Sequence, residues 1–199
     1  MSATRLLVLG VVRLYGQAHG YQVRRELSTW NAETWANVKP GSIYHALKQL
    51  TKTAMVRSVG VESGDQGPER TSYELTEDGE TEFGRLLREA LSNPEVKPEM
   101  WGAGITFFPC LDRARAVTLL RYRVANLEAC RQSLTGFSGS ESPLGKPAHV
   151  AELFHWWVAE YTAAIEFSQA LIARLESGAY TMADDAGDAF EVNAGANQL

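Results

Sequence analysis

Apolar residues recur at helical spacing along most of the chain. Thr4 to Tyr15 reads as a helix, with Leu6, Leu7, Leu9, Val12 and Leu14 apolar and Gly16 as its stop. His19-Gly20 reads as a turn. Tyr21 to Thr29 reads as a second short helix, with Val23 and Leu27 one turn apart and Arg24-Arg25 on the outer side. Residues 30–38 then connect to KPGSIYHALKQL, Lys39 to Leu50, where Ile43, Leu47 and Leu50 fall at i, i+4 and i+7. Pro40 suits the first helical position, where its missing N–H costs nothing. That makes Lys39 the N-cap, a poor choice beside serine or aspartate. The third helix runs to about Thr53.

The period then changes. Val59 and Val61 alternate, as do Thr71, Tyr73 and Leu75, and Gly64, Gly67 and Pro68 interrupt the chain between them. The pattern predicts a β-hairpin with a long loop. Thr76 caps a fourth helix from Glu77 to about Leu91, which Asn93-Pro94 ends. Three short helices followed by a hairpin make a winged helix-turn-helix. Residues 95–111 read as irregular or mixed, since two prolines flank their start and Gly102 and Gly104 interrupt them. Two long helical segments follow, 112–135 and 148–176. Val117, Leu120, Val124, Leu127 and Leu134 keep a seven-residue repeat in the first, and Arg131 fills one slot. Val150, Phe154, Trp157, Tyr161, Ala164, Leu171 and Leu175 keep it in the second, with Ser168 as the exception. A seam of that period is how helices pair over length. GFSGSESPLGKP between them reads as a flexible turn. From Gly178 onward the composition, rich in Ala, Gly, Asp and Asn, predicts no fixed structure. The expected fold class is mainly α with a small β-hairpin.

At 199 residues and 45% hydrophobic content, the chain can build a real core. Cys110 and Cys130 make no disulfide framework, so a reducing cytoplasm is the expected setting. Leu6–Val12 is at the lower size limit for a signal-peptide core. Arg13 ends it and no small-residue cleavage site follows, so a buried first helix is expected. No stretch approaches the roughly 20 apolar residues of a membrane span.

The net charge of −5 hides an asymmetry. Residues 1–57 hold eight Lys/Arg against Glu26 and Glu33, a net +6, and the remainder carries −11. A basic N-terminal part on an acidic body suits a nucleic-acid reader joined to a domain that does not bind nucleic acid. On the third helix, Ile43, Leu47 and Leu50 anchor one side. Ser42, Tyr44, His45, Lys48, Gln49 and Lys52 remain outside. The second helix of a helix-turn-helix lies in the major groove, with its N-terminal residues against base edges. There Lys48 suits guanine acceptors or a phosphate, Gln49 adenine, and Ser42 and Tyr44 phosphate oxygens. Lys39 adds positive charge at a helix start that already attracts phosphate. The plainer account is an ordinary solvated face; two preceding helices and a following hairpin favour DNA.

The order GYQVRREL, KPGSIYHALKQL and RTSYELTEDG resembles the PadR family of bacterial transcriptional regulators over residues 4 to about 90. The resemblance implies a recognition helix carrying GSIYHAL, with Ser42, Tyr44, His45 and Lys48 at base or phosphate and Arg70 on the wing. It also implies a homodimer on an inverted-repeat operator, a repressor by default, released by a small-molecule, often aromatic, effector. The implied division is a winged helix-turn-helix over 1–92, a connecting segment over 93–112, a helical dimerisation and effector domain over 113–177, and a tail over 178–199 without fixed structure. The wing loop is acidic, with Glu62, Asp65 and Glu69 against Arg70, so the helix is expected to supply most phosphate contact.

The C-terminal aromatics Trp101, Phe108, Trp156, Trp157 and Tyr161 suit a planar effector, though aromatics at helical spacing more often pack a core or a dimer. His149, Glu152 and His155 stand at i, i+3 and i+6. The two histidines are about 240° apart around a helix and do not converge on a metal. No cofactor is expected. Phosphate-loop, nucleophile-elbow and paired zinc-ligand motifs are absent, so an enzyme is not expected. The alternative from another class is a dimeric ligand-sensing or protein-interaction module with little or no DNA binding, which the acidic wing and the net charge of −5 favour.

Overall fold

The computed structural model describes residues 2–62, 70–138, 145–187 and 189–190. They form two compact units: residues 1–90 with 96–107, and residues 91–95 with 108–199.

The first unit is built around α1 (Ala3–Tyr15), which is buried continuously from Leu6 to Val12. A helix buried all round is a core helix, which explains the unbroken apolar run. Gly16, at φ 66°, ends it and donates its N–H to the Arg13 carbonyl. Gly10 is required by close approach: a Cβ there would lie 2.2 Å from Cζ of Phe107. Against α1 pack α2 (Gly20–Thr29), α4 (Pro40–Lys52) and α6 (Pro98–Phe107), α3 (Ala32–Ala36) lies on α2 and α6, and α5 (Glu77–Ser92) is tied to α1 through Arg13–Glu80 and Arg5–Glu82.

The expected hairpin is present as β2 (Val56–Glu62) and β3 (Arg70–Leu75), with Val59 the extra residue of a bulge between the Ser58–Tyr73 and Gly60–Ser72 pairs. Three expectations need correction. His19 is not in a turn: Ala18–His19 is a strand, β1, paired with Tyr73 and Ser72, so the sheet has three strands in the order β1-β3-β2. Its imidazole Nδ1 lies 2.9 Å from the Ser72 hydroxyl, and the His19 backbone N–H donates to Gln22 Oε1, which links strand and helix. Residues 30–38 contain α3, held between Asn31 and Asn37, both left-handed. Residues 95–111, expected to be irregular or mixed, carry a regular helix over Pro98–Phe107. Gly102 does not break α6; it lets the Trp35 ring lie where a Cβ would be 2.7 Å away.

Thr76 caps α5 as expected. Its hydroxyl accepts the Gly79 N–H at 3.1 Å and donates to the Ala54 carbonyl at 2.6 Å. Glu77, Asp78 and Glu80 occupy the first turn, where the helix dipole favours acids.

In the second unit α7 (Arg113–Ser138) and α8 (Ala151–Glu176) run antiparallel. Arg113 at the start of α7 donates to the Leu175 carbonyl at the end of α8, and Phe137 stacks on Phe154. Val117, Leu120, Leu127, Phe154, Leu171 and Leu175 fill the seam, with Ser168 fully buried and its hydroxyl returned to the Ala164 carbonyl. Arg123 is 5% exposed and donates to the Asn93 carbonyl; burial pushes its pKa down to about 10. The segment after Gly178 departs from expectation through residue 187. Met182 is buried, Arg113 donates to the Tyr180 carbonyl at 2.8 Å and pairs with Asp185, and Asp184 accepts the Arg113 N–H. Residues 191–199 lie outside the described residues. Among the described residues, no helix is long and apolar enough to cross a membrane.

Candidate nucleic-acid interface

The site begins with how α4 is held. Ile43, Leu47 and Leu50 are 1–2% exposed and point into the first unit. Each contributes about 2 kcal/mol of burial, enough to fix which side of α4 faces out. Gly41, Lys48, Lys52 and His45 then fall within an arc of about 60° at the centre of the outward face, with Tyr44 and Ser42 at its two edges and Gln49 beside Ser42. Lys39, Gly41, Tyr44, His45, Lys48, Gln49 and Lys52 are exposed.

Lys39 is the N-cap and Pro40 opens the helix, as the sequence predicts. The Lys39 side chain makes no capping bond, and no acid stands in the first turn. The Ser42 and Ile43 amides are already bonded to the Lys39 carbonyl, while Gly41 has open space about it. A helix start with an unblocked amide and a flanking lysine suits an anion. The Ser42 hydroxyl is turned back onto the Lys39 carbonyl at 2.6 Å, so donating to a phosphate would require giving up that bond. Tyr44 is 47% exposed and lies against the start of α2, where a Cβ on Gly20 would come 2.8 Å from its ring.

Charge pairing separates the cations of this unit into two sets. Arg5 pairs with Glu82, Arg13 with Glu80, Arg57 with Glu74 and Arg85 with Glu82. The Arg85 hydrogen bond, reinforced by Arg5, holds the Glu82 carboxyl below its ordinary pKa although burial opposes this. Arg24, Arg25, Lys39, Lys48 and Lys52 have no acidic partner among the described residues. All five lie on α2 or at or along α4. Arg88 and Lys97, also without an acidic partner, are on α5 and just before α6. The sequence reading left Arg24 and Arg25 outside the site. The sequence holds no signal that sets them apart, because Arg5 and Arg13 equally lack an acid one turn away.

Residues 8–85 match the model of the transcriptional regulator PadR-like family. That stretch is similar to the domain of PadR-like regulators. Members of the PadR-like family are transcriptional regulators, not enzymes. Bacillus subtilis PadR, in a crystal structure with operator DNA, is 23% identical to this chain, over 87% of it and 95% of that protein, at a TM-score of 0.40. The PadR-like transcriptional regulator BC1756 from Bacillus cereus is 18% identical, over 88% and 99%, at 0.37. Bacillus subtilis PadR in complex with p-coumaric acid is 18% identical, over 87% and 99%, at 0.38. No curated protein matches the chain.

Arg70, the expected wing contact of the PadR-like domain, opens β3 with its backbone paired to Glu62. The loop between them, with Asp65 and Glu69, lies outside the described residues. The aromatic effector candidates of the second unit are spread over both ends of its helix pair. Trp101 is half-buried on α6 in the first unit. Phe108 is buried edge-on against Tyr180, near the start of α7. Trp157 packs on Phe154 near the start of α8, beside the end of α7, and Trp156 next to it is 59% exposed. Tyr161 is half-buried further along α8, and burial is the largest cause of its raised pKa. Among the described residues, no group of His, Cys, Asp and Glu is placed to hold a metal ion.

Proposed function

We propose that this chain is a dimeric cytoplasmic repressor that binds an inverted-repeat operator, with α4 in the major groove, and is released by a small aromatic effector. The carrying observation is the segregation of cations: Arg5, Arg13, Arg57 and Arg85 are tied to carboxylates, while Arg24, Arg25 and the lysines of α4 have no acidic partner among the described residues. Unpaired cations around an exposed helix start are what a phosphate backbone requires. In this reading His45 and Gln49 face base edges, Lys48 reaches a base edge and the phosphate beside it, and Lys39, Lys52 and Tyr44 face the backbone.

The pairing surface we infer for two copies is the outer side of α8. Leu153, Trp156, Glu160, Ala163, Phe167 and Ala170 recur in alternating steps of three and four, all exposed, on the side away from α7. Leu153, Trp156 and Phe167 are 39%, 59% and 44% exposed. A second helical seam of this kind, presented to solvent, suits a second copy of the chain.

The test is selection of duplexes from a random library by the full chain, followed by binding at several salt concentrations. Recovery of a palindrome whose binding weakens steeply with salt is the expected result. Retention of no duplex would overturn the regulator reading and leave the ligand-sensing or interaction module that the acidic loop favours. Titration of tryptophan fluorescence with planar aromatics tests the effector, and a panel without response removes it from the proposal.

A further inference from the structure

We propose that Tyr21 and Arg24 of α2, with Arg25 beside them, form a phosphate clamp separate from the outward face of α4. This proposal rests on the DNA-binding reading above and assigns the clamp to the phosphodiester backbone, not to bases.

Four observations converge on α2. First, Tyr21, Arg24, Arg25, Ser28, Thr29 and Pro40 line one shallow depression. Pro40 is the first residue of α4, so the depression reaches the start of that helix. Second, neither arginine has an acidic partner among the described residues. The acid of α2, Glu26, is engaged by the Tyr15 hydroxyl at 2.8 Å. Third, the Arg24 guanidinium carbon stands 5.2 Å from the centre of the Tyr21 ring. Tyr21 is 53% exposed and Arg24 half-buried, so the ring serves no core and instead holds the guanidinium against one face. Spaced at i and i+3, the two share a side of the helix. A stacked guanidinium loses less freedom when its donor fork meets two phosphate oxygens. Fourth, the Ser28 and Thr29 hydroxyls donate to the Arg24 and Glu26 carbonyls at 2.8 and 2.7 Å. The positive groups therefore dominate the depression.

The loop between β2 and β3 gives this clamp a reason. Its sequence places Glu62, Asp65 and Glu69 against a single arginine, a composition that repels phosphate. A helix-turn-helix needs backbone contacts to fix its register on the duplex, and α2 has the unpaired charge to make them. Tyr21 is a positioning residue: it acts through Arg24.

The experiment uses the full chain, a duplex it selects from a random library, and a scrambled duplex of the same length. Arg24→Gln is expected to weaken both duplexes by the same factor and to flatten the slope of log affinity against log salt by about 2 per dimer. Tyr21→Ala is expected to weaken both by roughly tenfold per dimer, about threefold from each copy, with Tyr21→Phe binding like wild type. Thermal melting must match wild type for each variant, and Arg25→Gln serves as a second charge-removing variant should Arg24→Gln not fold. An unchanged salt slope in the arginine variants overturns the clamp. Loss confined to the selected duplex also overturns it, because that is the mark of a base contact. Tyr21→Phe as weak as Tyr21→Ala overturns the positioning role. Failure of the wild-type chain to hold any duplex overturns the regulator reading itself, and is distinguishable from all of these.

Discussion

Replacing Lys48 and Lys52 with glutamine removes two charges from the middle of the outward face of α4. Among the described residues neither lysine has an acidic partner, so the fold is expected to be unmoved, with stability within about 0.5 kcal/mol of wild type. The binding consequence follows from counting. Each cation that neutralises a phosphate contributes about 0.9 to the slope of log affinity against log salt. Arg24, Arg25, Lys39, Lys48 and Lys52 in each of two copies give a slope near −9 at most, and the double variant near −5. Raising salt from about 50 to about 200 mM then costs wild type about 10⁵ in affinity and the variant about 10³. Fluorescence anisotropy with a labelled selected duplex, at four salt concentrations, reads both slopes. A variant slope equal to that of wild type would mean that these lysines do not meet phosphate or base, and α4 would lose its place as the reading helix.

Three further outcomes are expected. Gly10→Ala places a methyl 2.2 Å from the buried Phe107 ring, and urea unfolding should show a loss of about 1–3 kcal/mol; an unmoved midpoint would contradict that packing. Glu82, whose pKa is lowered chiefly by Arg85, stabilises the fold when ionised, a contribution present above its ordinary pKa of 4.5 and lost as pH falls through the lowered folded value. Glu82→Gln should therefore cost about 1 kcal/mol at neutral pH, and melting curves of variant and wild type should converge in acid; equal gaps at both pH values would refute the ionic account. Trp156→Glu with Phe167→Glu should turn a dimer into a folded monomer in sedimentation, and a persisting dimer would remove the outer seam of α8 as its interface.

Much of the fold is legible because its helices carry local signals. Gly16 stops α1, Pro40 opens α4 and Thr76 caps α5, each by chemistry confined to a few residues. What escapes is set by distant partners. β1 has two residues, too few for any alternation, and exists because Ser72 and Tyr73 offer it an edge. α6 is apolar on all sides and interrupted by glycine, so no period marks it; its Gly102 makes sense only once Trp35 is placed against it. Residues 178–187 have the composition of an unstructured tail, but Arg113, more than sixty positions earlier, binds the Tyr180 carbonyl and Asp185. Composition has no means of recording a contact at that separation.

The site divides along the same line. The outward face of α4 follows from where Ile43, Leu47 and Leu50 fall, and those three are buried as their spacing requires. The role of α2 does not follow, because Arg5, Arg13, Arg24 and Arg25 look alike in the sequence. Tertiary pairing distinguishes them. Glu80 and Glu82, which the sequence presents as ordinary acids near a helix start, take up Arg13 and Arg5, and Glu74 on β3 takes up Arg57. Three of the eight cations in residues 1–57 are thereby neutralised, and the five that remain are on α2 or α4. A diffuse charge bias along the chain becomes a positive surface only through which arginines the acids of α5 and β3 remove from it. The acids of the domain thus define its DNA-facing side as much as its lysines do.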